Sequence, residues 1–188
     1  MLLKEAKEIL KKNGYRLVEA YDDKNFHKPS NELGPTVKIG KQTWMAKNLA
    51  IDDGGEGIYH NPENNETYYT YDAAMRIANS ITGWHLPSTL EWNEAALVCG
   101  ATEKPDDDDP NIIDYKNAQE LKYKLGVKLD GFRYEDSFYG LDGYAYFWTA
   151  TEYSSSSAYC RYFSTGVWMD SNYYDKTTFA YSVRLVKD

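Results

Sequence analysis

The chain lacks several features that mark specialised classes of protein. It has two cysteines in 188 residues, which excludes a disulfide-dense fold. It has no apolar run of the roughly 18 residues that suggest a membrane-spanning helix. Lys and Arg number 21 against 29 Asp and Glu, for a net charge of -8. A basic surface for nucleic acid is therefore not expected.

Aliphatic residues are also scarce, and aromatic residues replace them. Leu, Ile, Val and Phe together make up 35 of the 188 residues, a share low enough to suggest disorder. The chain has 18 Tyr, 5 Trp and 6 Phe, and each such ring buries roughly 150–250 Å² when it packs. We therefore expect one domain with an aromatic core. An isolated pair of cysteines in a chain without an export signal is usually two buried thiols, so Cys99 and Cys160 are expected to be free.

The first 35 residues are expected to form an appendage, and residues 36–188 the main domain. The appendage begins with the spacing of an amphipathic helix at 2–12, whose apolar side consists of Leu2, Ala6, Ile9 and Leu10. A short strand at 15–20 and a polar linker at 21–35 are expected to follow. Charged residues interrupt the apolar stretch that a signal peptide requires. We expect synthesis in the cytoplasm, and display on a cell surface or phage particle stays open.

The main domain combines helix signals with signals for short strands. Two strands flank a turn at Gly40 and Lys41, and a capping box begins at Ser88. Helices are expected at 71–80, 88–99 and 117–125, and loops at 46–65, 153–157 and 170–175. From residue 131 onward, glycines separate short aromatic strands. This pattern predicts an α+β domain of short antiparallel strands with two or three helices.

The segment from 144 to 182 has the composition of a binding surface. It holds 8 of the 18 tyrosines and 7 serines. Tyr and Ser dominate antibody paratopes, because Tyr offers a large contact with few rotatable bonds and Ser adapts its hydrogen bonds. The alternative is an ordinary sheet whose tyrosines cover the core. The candidate ligand-binding residues are Tyr153, Ser155, Ser156, Ser157, Tyr159, Tyr162, Ser164, Trp168, Asp170, Ser171, Tyr173, Tyr174 and Asp175.

Several motifs, in order along the chain, resemble one family. They are GKQTWMAKNL at 40–49, YDAAM at 71–75, GWHLPS at 83–88, FWTATE at 147–152, AYCR at 158–161 and YSVRLVKD at 181–188. Together they resemble the Fibrobacter succinogenes major paralogous domain family over roughly residues 37–188. The resemblance implies a C-type lectin-like fold, in which Trp44, Trp84, Trp92 and Trp148 are core rings.

The resemblance also implies a function. Similar domains are the variable proteins of diversity-generating retroelements, which diversify a solvent-facing patch by mutating adenines near the end of the gene. We therefore expect a ligand-binding domain whose partner is a protein or another surface ligand. Two alternatives remain. One is a calcium-independent carbohydrate-binding module, because Tyr and Trp stack on sugar rings. The other is an enzyme of the formylglycine-generating type, which uses two nearby C-terminal cysteines where this chain has only Cys160.

No catalytic residue, metal ligand or cofactor is predicted. His27, His60 and His85 are scattered, without the spacing of a metal site. The acidic run Asp106–Asp109 lacks the alternation of a calcium loop and is expected to be solvated. The serines at 154–157 have no histidine nearby in the sequence. An enzyme is therefore not expected.

Overall fold

The computed structural model describes residues 33–105 and 112–187. The helix expected at 2–12, the strand at 15–20, His27 and the acidic run Asp106–Asp109 lie outside the described residues. So does nearly all of the linker at 21–35. The proposed division of the chain near residue 35 therefore remains a prediction.

The described residues form thirteen strands and three helices. The strands are β1 (Thr36–Ile39), β2 (Gln42–Met45), β3 (Ile58–Asn61), β4 (Glu66–Tyr69), β5 (Thr102–Pro105), β6 (Ile113–Lys116), β7 (Asp130–Tyr134), β8 (Ser137–Leu141), β9 (Tyr144–Glu152), β10 (Ser157–Ser164), β11 (Met169–Asp175), β12 (Phe179–Ala180) and β13 (Val186–Lys187). The helices are α1 (Tyr71–Ser80), α2 (Thr89–Val98) and α3 (Gln119–Lys124).

An eight-stranded sheet organises the fold. Its order is β12-β7-β9-β10-β11-β6-β5, and β8 pairs with β7 outside this path. The long strands β9, β10 and β11 are antiparallel neighbours at its centre. A three-stranded sheet, β1-β2-β13, and the hairpin β3-β4 complete the strands of the described residues.

The expected α+β, C-type lectin-like fold is wrong. Strands account for 43% of the structure and helices for 18%, so the domain is mainly β. Two segments that were expected to be loops contain strands. The hairpin β3-β4 begins inside the segment 46–65, and residues 170–175 lie in β11. Polar residues are tolerated in β11 because alternate side chains of a strand point to opposite faces, and one of its faces is partly solvated.

The three helices lie where local signals placed them. The Thr70 hydroxyl accepts a hydrogen bond from the backbone N–H of Ala73 and caps α1. The expected capping box is formed at α2, where the Ser88 hydroxyl and the Glu91 carboxylate each accept from the other's backbone N–H. The hairpin β1-β2 turns at Gly40, as expected.

The core is built on both faces of the central strands. One cluster contains Trp148, Cys160 and Tyr181 and packs against α1. The other contains Trp92, Phe147 and Phe163 and packs against α2. Of the four tryptophans expected in the core, Trp44, Trp92 and Trp148 are fully buried, whereas Trp84 is half-buried beneath Lys187.

Two buried arginines tie the elements together. Arg161 of β10 donates to Asn93 Oδ1 at 2.7 Å and to the Ser171 hydroxyl. The Arg184 guanidinium donates to the Asn48 side chain and to two backbone carbonyls. Burial lowers the pKa of each arginine to about 10, so both remain charged at neutral pH. Both motif arginines therefore have structural roles.

Candidate functional site

The strand register divides the candidate ligand-binding residues between the two faces of the sheet. Tyr162 lies opposite Asp170, and Tyr174 opposite Ala158. These residues share one face. Tyr159 lies opposite Tyr173, and Arg161 opposite Ser171, so these residues share the other face.

The first of these faces carries a contiguous group of partly exposed rings. We call it the aromatic face. Its eight rings come from the six strands β7 to β12, and every ring has an aromatic neighbour within the group: Phe132, Tyr134, Tyr139, Tyr144, Tyr146, Tyr162, Tyr174 and Phe179.

Stacking and edge contacts hold the rings of the aromatic face. The rings of Tyr146 and Tyr162 are stacked, with centroids 4.8 Å apart and planes 19° apart. Tyr146 also stacks on the buried ring of Tyr181 at 5.0 Å, while Phe132 contacts Tyr146 edge-on at 4.9 Å. Each aromatic pair adds roughly 0.5–1.5 kcal/mol beyond its buried area. The face is therefore a rigid platform whose outer rings remain accessible, Tyr139 at 50% and Tyr144 at 43%.

A row of charged side chains continues the aromatic face toward one edge of the sheet. The pair Met169 and Tyr115 sets the register of β11 against β6, and one residue further along Asp170 lies opposite Asp114. Lys104 lies opposite Asp114 on the other side. A single row across the sheet thus reads Lys104, Asp114, Asp170, Tyr162 and Tyr146.

Two neighbouring carboxylates give this row its electrostatic character. Burial, and then the charge of Asp114, raise the pKa of Asp170 to about 6, although Lys104 opposes the rise. Burial and the charges of Asp170 and Asp114 also raise the pKa of Tyr162, so its hydroxyl stays protonated. The edge of the aromatic face therefore carries two adjacent carboxylates, with Lys104 beside them.

The serines at 154–157, which were expected to lie in a loop, lie in a tight turn that is anchored to the domain. The hydroxyl of Ser154 accepts hydrogen bonds from the backbone N–H groups of Ser156 and Ser157. Lys176 is buried beneath this turn, where its ammonium donates to the Glu152 carboxylate and to the carbonyls of Ser154 and Ser155. These hydrogen bonds anchor the loop between β9 and β10 to the domain.

Next to this turn lies a second group of rings. Tyr153 and Tyr173 are stacked face to face, with centroids 3.7 Å apart and planes 8° apart, and both are exposed. Tyr159 packs edge-on against both and is buried. This group is separated from the aromatic face, since Tyr159 and Tyr173 point to the opposite side of the sheet.

The remaining candidates occupy mixed environments. Trp168 is half-buried beneath Lys104 and Lys116, with their ammonium nitrogens 5.6 Å and 6.0 Å from the ring centroid. Ser171 is buried, and its hydroxyl donates to the carbonyl of Ile113. The Asp175 carboxylate closes a turn, in which hydrogen bonds from the next threonines hold its pKa well below the usual range. Ser164 is half-buried opposite Tyr144.

Sequence reasoning missed most of the aromatic face. Only Tyr162 and Tyr174 of its eight rings were among the candidates. One signal was available: the alternation of Tyr144 and Tyr146 with Ala145 and Phe147 is typical of a strand with one buried and one partly exposed face. Nothing local indicated that residues near 132 and 179 would join them.

The groups that could support metal or acid–base chemistry have structural contacts. His85 Nε2 lies 2.6 Å from the Glu91 carboxylate that caps α2, and His60 Nε2 lies 2.7 Å from Asp52. Within residues 33–105 and 112–187, no group of three His, Cys, Asp or Glu side chains is arranged to hold a metal ion. Cys160 is fully buried, and burial raises its pKa.

A pocket of about 310 Å³ lies at the start of α1, beside Gly57 and Thr70. The two cations in its lining already have partners. Arg76 makes a two-point contact with Asp53, and Lys176 contacts Glu152. The pocket therefore offers no free cation for an anionic ligand.

The fold and the site define a β-rich domain with two aromatic cores and an exposed aromatic sheet face. The chain belongs to the Fibrobacter succinogenes major domain family, whose model matches residues 37–187. Searches of curated proteins and of solved structures found no match. None of the described helices is long and apolar enough to cross a membrane.

Proposed function

We propose that the domain is a binding module and that the aromatic face is its recognition surface for a protein partner. The observation that supports this most directly is the continuity of eight partly exposed rings on one side of the central strands. Large contiguous apolar patches on a domain surface commonly mark interaction sites. Aromatic residues are also the type most often found among the residues that dominate binding energy.

The dimensions and charge of the face favour a macromolecular partner. Strands lie about 4.8 Å apart, so the five neighbouring strands β8, β7, β9, β10 and β11 span about 19 Å. That width suits the flat contact of a protein better than the enclosure of a small molecule. The charged row of Lys104, Asp114 and Asp170 at one edge favours a partner with complementary charged groups opposite it.

A binding selection tests the proposal. The chain of residues 1–188 is used to select ligands from a display library of natural protein fragments. In parallel, the same chain is tested on a glycan array. Selected proteins are then titrated against Tyr139→Ser and Tyr144→Ser variants, with Tyr123→Ser as the control. Tyr123 is an exposed tyrosine on α3, outside the aromatic face.

We expect the two face variants to lose more than about tenfold in affinity and the control to retain it. Protein ligands that are insensitive to both face variants would contradict the proposal. Binding of glycans alone would favour the carbohydrate-binding alternative instead. Circular dichroism is used to check that each variant is folded before affinities are compared.

We further propose that this face is the patch that a diversity-generating retroelement would vary. Strands β10 and β11 contribute five residues to this face whose codons can arise from an Asn codon by changes at adenine. They are Tyr162, Ser164, Asp170, Asn172 and Tyr174. The test is the DNA beside the gene. A near-copy of the end of the gene that differs at adenines, beside a reverse-transcriptase gene, would support the proposal, and its absence would refute it.

A further inference from the structure

Helix α2 has an apolar stripe on the side turned away from the sheet. Its inner side buries Trp92, Ala95 and Ala96 in the second core cluster. Its outer side carries three exposed apolar residues, Leu90 at 70%, Leu97 at 46% and Val98 at 53%. A surface helix in a globular domain normally shows polar residues on its outer side. We therefore expect another segment or molecule to cover the stripe.

A segment of the same chain has a matching stripe. Within residues 2–12, Leu2, Ala6, Ile9 and Leu10 have the spacing i, i+4, i+7 and i+8 of one helical face, and Leu3 is the remaining apolar residue, next to this stripe. The outer side of α2 has the same spacing, with Leu90, Glu94, Leu97 and Val98. Both stripes extend over about 12 Å at the helical rise of 1.5 Å per residue.

The chain path permits the two stripes to meet. A Cβ placed at Gly40 would lie 3.3 Å from Val98, so the turn after β1 touches the end of α2. Leu33, where the described residues begin, is seven residues before that turn. The 20 residues from 13 to 32, as a flexible linker, would span on the order of 25 Å. That reach is enough to return a helix to α2.

Charge favours the same pairing. Residues 1–12 contain four lysines and two glutamates, whereas Glu94 stands exposed in the middle of the α2 stripe. Helix α2 contains two glutamates and no Lys or Arg, so the net positive segment is attracted to it, although attraction between exposed charges is modest.

We propose that residues 2–12 form a helix that docks on the outer stripe of α2. The α2 stripe lies on the opposite side of the sheet from the aromatic face, because α2 packs against Phe147 and Phe163 and not against Tyr146 and Tyr162. The docked segment leaves the aromatic face open. This inference therefore stands independently of the proposed function.

Cross-linking in the full-length chain tests the docking. Cysteines are introduced as Ala6→Cys and Glu94→Cys in a Cys99→Ser background, while the fully buried Cys160 is retained. Lys4→Cys with Glu94→Cys is the matched control, because position 4 lies opposite the apolar stripe of the expected helix. Chains labelled with nitrogen-15 are mixed with unlabelled chains to separate links within a chain from links between chains.

We expect the Ala6 pair to cross-link within one chain about tenfold faster than the control pair, because docking raises the effective concentration of the two thiols. Equal rates for the two pairs would overturn the proposal. Links between labelled and unlabelled chains would also overturn it, since a second copy would then cover the stripe.

Hydrogen exchange supplies a second measurement that requires no cysteine. Backbone amides of residues 2–12 should exchange about tenfold more slowly in the wild type and in Tyr123→Lys than in Leu97→Lys. Leu97 and Tyr123 are both exposed, so neither change disturbs the core. Equal exchange in all three proteins would refute the docking.

Discussion

Replacing Asp170 by Asn should stabilise the protein at neutral pH and leave its stability unchanged in acid. Burial and the neighbouring Asp114 raise the pKa of Asp170 from its ordinary value of 3.8 to about 6. Asp170 therefore binds a proton more tightly in the folded state than in the unfolded state. The stabilisation from that proton is complete below about pH 4 and is lost as the pH rises through 6. The Asn side chain is neutral at every pH, so the variant does not lose this stabilisation as the pH rises.

The size of the effect follows from the pKa difference. Each pKa unit is worth about 1.4 kcal/mol, so a rise from 3.8 to about 6 corresponds to roughly 3 kcal/mol as an upper limit. Asp170 is only half-buried, and solvent screening reduces interactions of such groups to about 1 kcal/mol. For a chain of this size, 1 kcal/mol shifts the melting temperature by about 2–4 °C.

Denaturant unfolding at several pH values between 4 and 8 measures the effect. The quantity compared is the difference between Asp170→Asn and wild type at each pH, since groups such as Glu91 and Asp130 contribute equally to both proteins. Thr165→Ala, an exposed change in the loop between β10 and β11, is the control and should show no pH-dependent difference. A difference for Asp170→Asn that does not grow between pH 4 and pH 7, or a variant less stable than wild type at pH 7, would refute the reasoning.

Three further predictions concern the core, metal dependence and the N-terminal segment. Trp148→Ala should lower the free energy of unfolding by about 3–5 kcal/mol, because the ring is fully buried and its N–H donates to the Tyr69 carbonyl. Tyr153→Ala should cost less, about 1–3 kcal/mol, because Tyr153 is exposed and loses its ring contacts with Tyr173 and Tyr159; equal losses in denaturant unfolding would contradict this contrast. Millimolar calcium should leave the melting temperature unchanged, and a rise reversed by chelator would show a calcium site. Deletion of residues 1–30 should leave a soluble protein with a single cooperative melt, whereas an aggregated or non-cooperative product would make this segment part of the core.

Local sequence signals determined the helices and the first hairpin. The capping residues Thr70 and Ser88 act within one helical turn, so their effect is readable without knowledge of the fold. The turn at Gly40 requires a positive φ, which glycine adopts freely. The core positions of Trp44, Trp92 and Trp148 were implied by the family resemblance and are fully buried, whereas Trp84, which the resemblance also placed in the core, is only half-buried.

The fold class and the candidate site depended on strand pairing, which no local signal specifies. The polar segment 170–175 became strand β11 because β10 and β6 supply its hydrogen bonds. The aromatic face joins Phe132 to Phe179 across the sheet, although 46 residues separate them along the chain. Asp114 and Asp170 became neighbours through the register of β6 and β11. Because side chains alternate across a strand, only that register decided which tyrosines share a face and which are separated by the sheet.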